Sequence, residues 1–474
     1  MGKNLYDLLQ VYSCQGTCSM HMPGHKRRAL HSPELPWHMD ISEIDGFDNL
    51  HSSAGILLEA EARAAELWGS DAAYFLVNGS SGGILAGIYA CTRPGDRILL
   101  ARNCHKSVYH AVEILGLHPV YLDPPIVADA GLAGSIPPEA VARAIAAHPD
   151  IRLAVITSPT YEGVLSDVGD IAEVVHRRGI PLMVDEAHGA HLGLDSHFPP
   201  SAVGQGADLV VQSLHKTLPS LTQTAILHRM GARVPQAALR HAVGVFQSTS
   251  PSYLFLASMD GCVSFLRERG AASLAAWRAR LDRFYREMTG LRHLRLLNGN
   301  FDNIYAHDPG KLTILTGGTN LRGTALMAAL RSDFGIELEM ALDGYAVAMT
   351  SLASTDEDFA RLGAALRASD ETCTPSPAQT PIALPPMPEQ VMPAGEALRL
   401  PGRREAFAES VGEISRAYVW AYPPGVPIVT PGVRVTRDIA DALAQLAARG
   451  VKLDSTFGAA QGFLEVVDNP VKIG

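Results

Sequence analysis

The chain has 474 residues, 47% of them hydrophobic and 19% charged, with a formal net charge of −10. That length exceeds one simple core and predicts two or three domains. The acidic balance argues against a nucleic-acid binder, and six cysteines are too sparse for a disulfide framework.

The N-terminal MGKNLYDLLQVYS has no apolar signal core, and no run reaches membrane-span length, so a cytoplasmic protein is expected. Residues 1–50 mix proline, glycine, histidine and aromatics and read as an irregular arm. Cys14 and Cys18 lie four apart with no second pair to complete a zinc site, so the cysteines read as reduced thiols. Helical periodicity begins at AGILLEAEARAAELWG, where Ile56, Leu57, Ala60, Ala64 and Leu67 share a face. From there short apolar strands (AAYFLV, RILLA, HPVYL, RLAVIT, PLMVDEA) alternate with helices, and ADLVVQSLHKTLPSLTQTAILH (207–228) adds two more strands. This pattern predicts an α/β fold with a mainly parallel seven-stranded sheet covered on both faces. Ligands gather beyond the carboxyl ends of such strands.

The periodicity changes after residue 265 to long helical text and then to an α+β region containing GIELEMALDGYAVAMTSL. The expected organisation is an arm (1–50), a large domain (51–290), a small α+β domain (291–368), a proline-rich linker (369–393) and a last domain (394–474).

The strand ends carry the chemistry. AAYFLV runs into NGSSGG before a helix, so Gly79, Ser80 and Ser81 can form a phosphate cradle of backbone N–H groups and hydroxyls, or an ordinary glycine-rich turn. No Gly-Lys-Ser/Thr follows, which excludes a nucleoside-triphosphate loop and, with it, a helicase reading of the letters DEAH. RILLA leads to RNCHKS, where His105 is a cap, a ligand or a flat ring packed on something flat. RLAVIT leads to SPTYEG, beginning at Ser158. Asp185 ends an apolar run and is either a buried carboxylate, which needs a cation, or a helix cap or exposed turn acid. His188 and His191 lack a third ligand, so no metal is expected. Lys216, where the chain leaves the strand Asp208–Gln212, is costly there unless paired, neutralised or used. A lysine, an acid, a phosphate cradle and a flat side chain together are what pyridoxal phosphate requires. The amine bonds to the aldehyde, the acid pairs with the pyridinium nitrogen, the helix start takes the phosphate and a ring packs on the pyridine.

These residues resemble the bacterial ornithine/lysine/arginine decarboxylases of the aspartate-aminotransferase fold, PLP-dependent fold type I. The resemblance covers most of the chain: HMPGHK (21–26), DNLHSSAGILLEAE (48–61), FLVNGSSGG (75–83), RNCHKS (102–107), SPTYEGVLSD (158–167), VDEAHGAH (184–191), QSLHKTLPSLTQTAILH (212–228), STSPSYLFLASMD (248–260), GIELEM (335–340) and YPPGVPIVTPG (422–432). The length matches the short subgroup without an N-terminal receiver-like wing domain. The resemblance implies decarboxylation of arginine, lysine or ornithine to an amine precursor of polyamines, with pyridoxal 5'-phosphate as cofactor. Lys216 would be its covalent anchor, Asp185 the partner of the pyridine nitrogen, His105 the stacking ring, and Ala187 the small residue under the ring. Gly79, Ser80, Ser81, Ser158, Ser213 and His215 would contribute to holding the cofactor. Thr249 and Ser250 match a segment that reaches a neighbouring subunit's cofactor, which implies a homodimer or larger homo-oligomer. Glu339 would meet the distal cationic end of the substrate. Lys216, His188 or a cysteine would return the proton to Cα. One departure is Val433, where the family usually continues Pro-Gly-Glu. The alternatives are transamination or other Cα chemistry on the same fold, for which Arg403, Arg404 and Arg434 are unconvincing carboxylate clamps, and a non-catalytic regulator, for which no basic recognition helix is present.

Overall fold

In the computed structural model the described residues are 4–15, 22–23, 26–28, 32, 34–128, 130–377, 384–421 and 426–468. Cys18, part of HMPGHK and residues 422–425 lie outside them.

The strands of the main sheet are β1 (Ala72–Leu76), β2 (Arg97–Ala101), β3 (His118–Leu122), β4 (Ile151–Thr157), β5 (Leu182–Asp185), β6 (Leu209–Ser213) and β7 (Ala225–Arg229). Each is a short apolar run, and its bounds fall within two residues of those read from the sequence. The helices include α1 (Leu5–Ser13), α2 (Ile56–Trp68), α3 (Gly79–Cys91), α4 (Lys106–Leu115) and α5 (Tyr253–Phe265). By its contacts the chain divides into two units, one of residues 1–90, 181–283 and 350–355, the other of residues 91–180, 284–349 and 356–474.

In the first unit the strand order is β1–β7–β6–β5. β7 runs antiparallel to both neighbours, while β6 and β5 are parallel. Pairing in this unit is therefore mixed, with two antiparallel pairs and one parallel; β2–β3 and β2–β4 are both parallel, so parallel pairs dominate among the seven strands. α3 lies close on one face because it presents glycines there. A Cβ on Gly83 would sit 2.5 Å from Leu76 Cδ1 and 3.2 Å from Val211 Cγ1, and one on Gly87 2.7 Å from Met183 Cε. α2 covers the other face, packing Leu57, Ala60 and Ala64 into a core with Phe75 and Ile226. The stretch Leu5–Ser13, read as irregular from the sequence, is a helix. Asn4 caps it, Asp260 Oδ2 accepts the Leu5 N–H at 2.7 Å, and only Leu5 and Leu9 are buried. Two buried leucines give too short a repeat for its periodicity to stand out in the sequence.

In the second unit β2 lies between β4 and β3, all parallel. An antiparallel sheet of Arg295–Leu296, Lys311–Leu315, Tyr345–Met349 and Met340–Leu342 follows. A later cluster of Val429, Val433, Ile439, Leu443 and Leu464 forms its own apolar core. The buried Arg102 side chain donates to the carbonyls of Pro427 (3.2 Å), Pro385 (2.5 Å) and Ile428 (3.1 Å). Among the described residues no helix is long and apolar enough to cross a membrane.

Glu61 of α2 is a buried acid in the first unit. It accepts the Phe75 N–H at 3.1 Å, yet burial outweighs that hydrogen bond and lifts its pKa from 4.5 to about 7. The folded chain therefore holds the proton more tightly than the unfolded chain does. Its stabilising effect is complete below about pH 4.5 and is lost as pH rises through about 7. Glutamine at this position has no such dependence. The urea midpoint of Glu61→Gln, relative to the parent, is expected to rise across that window and level off above it; a difference independent of pH would contradict the assignment.

Candidate active site

β6 ends at Ser213 and passes directly into one helical turn, Leu214–Thr217, which carries His215 and Lys216. The turn is held by Leu214 N–H donating to Thr224 O at 3.1 Å and Leu218 N–H donating to Leu214 O at 2.9 Å. Lys216 Nζ lies 3.0 Å from Nε2 of His188, and His188 is itself buried in the turn that follows β5. A proton between these two nitrogens can sit on either one. Asp185, the last residue of β5, is 3% exposed and accepts the Ala187 N–H on Oδ1 at 3.1 Å. Burial raises its pKa, and the Lys216 charge and the Ala187 N–H pull it back down. The lysine, the acid and the histidine singled out in the sequence thus come together in one unit. Ala187, also buried, leaves only a methyl group beside them.

β1 feeds α3, whose first residue Gly79 has φ +69°, a left-handed conformation that glycine adopts without penalty. The first-turn N–H groups of a helix have no intrahelical partners, so Gly79, Ser80 and Ser81 present donors at that end. Gln223 ties this corner to the lysine turn. Its Nε2 donates to Val77 O at 2.7 Å, and the next residue, Thr224, accepts from His215 Nδ1 at 2.9 Å. Gln247 works along the edge of β1, accepting the Val77 N–H at 2.7 Å and donating to Phe75 O at 3.3 Å. Asn78 Nδ2 donates to Phe246 O at 2.9 Å. Thr249 and Ser250 follow this anchored segment and are exposed. Sequence reasoning missed Gln223 and Gln247. Gln223 lies within QSLHKTLPSLTQTAILH and Gln247 just before STSPSYLFLASMD, but nothing in those stretches marks either amide, and only the fold brings it to an edge strand.

His215 is constrained further. Its Nδ1 faces the Thr224 carbonyl and so carries the hydrogen, which leaves Nε2 of a neutral ring as an acceptor. Burial lowers its pKa, and nearby Lys216 lowers it further. Phosphate binding by His215 therefore requires the imidazolium, a form that a bound dianion favours.

The remaining predicted residues belong to the second unit. His105 is the N-cap of α4, with Nδ1 accepting the Ser107 N–H at 3.3 Å and lying 2.8 Å from Ser107 Oγ. Ser158 is buried, its Oγ accepting the Ser166 N–H at 3.1 Å. Glu339 is exposed, its N–H donating to Val347 O at 3.0 Å, while neighbouring Glu337 is taken by Arg331. Val433, the departure from the family pattern, is fully buried in an apolar core.

The first unit's groups fit pyridoxal phosphate. Ser213 Oγ and Thr217 Oγ1 are buried without hydrogen-bond partners among the described residues, flanking the lysine turn. Buried hydroxyls are rarely left so, and an anionic or phenolic ligand oxygen would satisfy them. A buried carboxylate and an amine complete the chemical demand of a pyridinium aldehyde.

The fold is that of the fold type I class, to which the aspartate-aminotransferase architecture belongs. An alanine–glyoxylate aminotransferase from Nostoc sp. superposes with a TM-score of 0.52 at 15% identity, over 68% of this chain and 88% of that one. The Francisella novicida lysine decarboxylase LdcF superposes with a TM-score of 0.82 at 21% identity, over 98% of this chain and 81% of that one. The sequence profile described as "Orn/Lys/Arg decarboxylase, major domain" matches residues 3–285. An arginine decarboxylase of Bacillus subtilis (strain 168) is 32% identical, with 92% of this chain and 91% of that protein covered. The chain belongs to the Orn/Lys/Arg decarboxylase family and is an amino-acid decarboxylase.

Lys216→Ala is expected to leave no turnover, and Asp185→Ala to lower it by on the order of 10²–10³-fold through loss of a preorganised charge. Steady-state carbon dioxide release measures both. Activity within a few fold of the parent in Asp185→Ala would remove its assigned role.

Proposed function

We propose that this chain uses pyridoxal phosphate to decarboxylate a basic amino acid, arginine being the first substrate to test. The observation that carries the reading is the joint placement of Lys216, His188 and the buried Asp185, on a chain of this family. Arginine is favoured by relatives of that activity that cover most of this chain, such as the Bacillus subtilis protein and one from Halalkalibacterium halodurans at 31% identity.

When bound, pyridoxal phosphate supplies the electron sink for the pair left at Cα as the carboxylate departs as carbon dioxide. Lys216 would hold it covalently, and Asp185 would keep a proton on its ring nitrogen. Burial of Asp185 suits that task, because low dielectric strengthens attraction to a cation. Ser213 and the opening N–H groups of α3 would take the phosphate, with Ser80, Ser81 and His215 beside them. Ala187 leaves room for a flat ring. His188 orients the Lys216 amine and can pass a proton to or from Nζ across 3.0 Å, so the two residues form a proton store for Cα. Glu339, exposed just before the strand Met340–Leu342, would pair with the distal cation of the substrate. Position 433 supplies no carboxylate, since Val433 is core. Roles for His105 and Ser158 at the cofactor, a shared site at Thr249 and Ser250 in a homodimer, the domain bounds at 51–290 and 394–474, and a cytoplasmic location complete the proposal.

Purified protein supplied with the cofactor is expected to release carbon dioxide and the matching amine in equal amounts from arginine, or else from lysine or ornithine. Keto acid in place of carbon dioxide would favour the aminotransferase alternative, and the absence of products from all three would overturn the substrate class.

A further inference from the structure

Asp185 and Ser213 face α3, and their chain neighbours Glu186 and Gln212 turn to the α2 side of the sheet, as the pleat requires. That side is otherwise apolar around them, with Val184, Val210, Ile226 and Phe75 all fully buried. Yet Glu186, Gln212, His228 and Ser201 are all buried there too, and they are joined. Gln212 Nε2 donates to Glu186 Oε1 at 2.9 Å, and Ser201 Oγ donates to the same oxygen at 2.7 Å. The Ala202 N–H donates to Glu186 Oε2 at 2.6 Å. Gln212 Oε1 accepts from His228 Nε2 at 3.1 Å, and His228 Nδ1 accepts from Ser70 Oγ at 3.0 Å. Burial holds the His228 pKa at about 3, so the ring is neutral and its single N–H goes to Gln212.

Stability gives no account of this network. An apolar set of the same volume is often as stable as a buried polar one. Its location does give one. β5 and β6 part just beyond it, one chain turning toward His188 and the other into the lysine turn. The last backbone links between them are Glu186 N–H to Val211 O at 2.9 Å and a long Ser213 N–H to Ala187 O at 3.4 Å. The Glu186–Gln212 hydrogen bond is the side-chain link at that fork, and Ser201–Ala202 braces it from the loop that returns to β6.

We propose that Glu186 is a positioning residue for the decarboxylation: through Gln212 and Ser201 it fixes Asp185 relative to the Ser213–Lys216 turn, and so sets how tightly pyridoxal phosphate is held. This rests on the reading of Asp185 and Lys216 as the cofactor site. The test titrates full-length apoprotein with pyridoxal phosphate, reading visible absorbance, in the parent, Glu186→Leu, Gln212→Leu, Glu186→Gln and Ser201→Ala. Both leucine variants are expected to bind the cofactor about tenfold to a hundredfold more weakly, and to lose kcat at saturating cofactor while KM for the amino acid stays within about twofold. Glu186→Gln, which keeps an acceptor for Gln212, restores most of both. Ser201→Ala, the mildest change, carries the test if a leucine variant does not fold, with an affinity loss of about threefold or more. Unchanged cofactor affinity and kcat in the folded variants, with only the melting temperature altered, overturns this assignment alone. A parent that takes up no cofactor overturns the site reading and this assignment with it.

Discussion

A primary amine held 3.0 Å from an imidazole, on a turn beside a buried carboxylate, is the constraint on which the rest of this structure depends. A lysine in such surroundings is costly as a bare ammonium. Asp185 offsets part of that cost by attraction, and His188 offsets part by a hydrogen bond to the amine nitrogen.

The fold supplies this geometry by ending adjacent parallel strands at one edge. β5 delivers Asp185 and, in the turn after it, His188; β6 delivers Ser213 and the lysine turn. Close approach of α3 through Gly83 and Gly87 brings a helix start to the same unit, and Gln223 with Thr224 straps that start to the turn. On the reverse side the Glu186–Gln212 pair closes the fork between the strands. Rigid elements thus hold each reactive group, as preorganised electrostatics requires.

The sequence made much of this legible because its signals were local. Short apolar runs mark strands whichever neighbours they find, and Asp185 and Lys216 stand out as charges at the ends of such runs. Contacts that depend on tertiary placement were not legible. Leu5–Ser13 owes its order to Asp260, 255 positions away from Leu5. Gln247 pairs with an edge strand 170 positions earlier. The tautomer of His215 is set by the carbonyl of Thr224, a hydrogen bond that no residue pattern encodes. Val433 was visible as a departure from the family pattern, but only its burial among Val429, Val435 and Leu464 shows that the position serves packing. Glu186 was not singled out in the sequence; the alternation of the strand gives it a neighbourhood separate from that of Asp185.

The central claim is a covalent bond between the side-chain nitrogen at position 216 and a B6 aldehyde. It is tested most directly by reducing the cofactor-loaded protein with borohydride, digesting it and mapping the adduct by mass spectrometry. The account predicts a single pyridoxyl-phosphate adduct on the peptide carrying Lys216. An adduct on another lysine, or unmodified Lys216 in protein saturated with the cofactor, would contradict it.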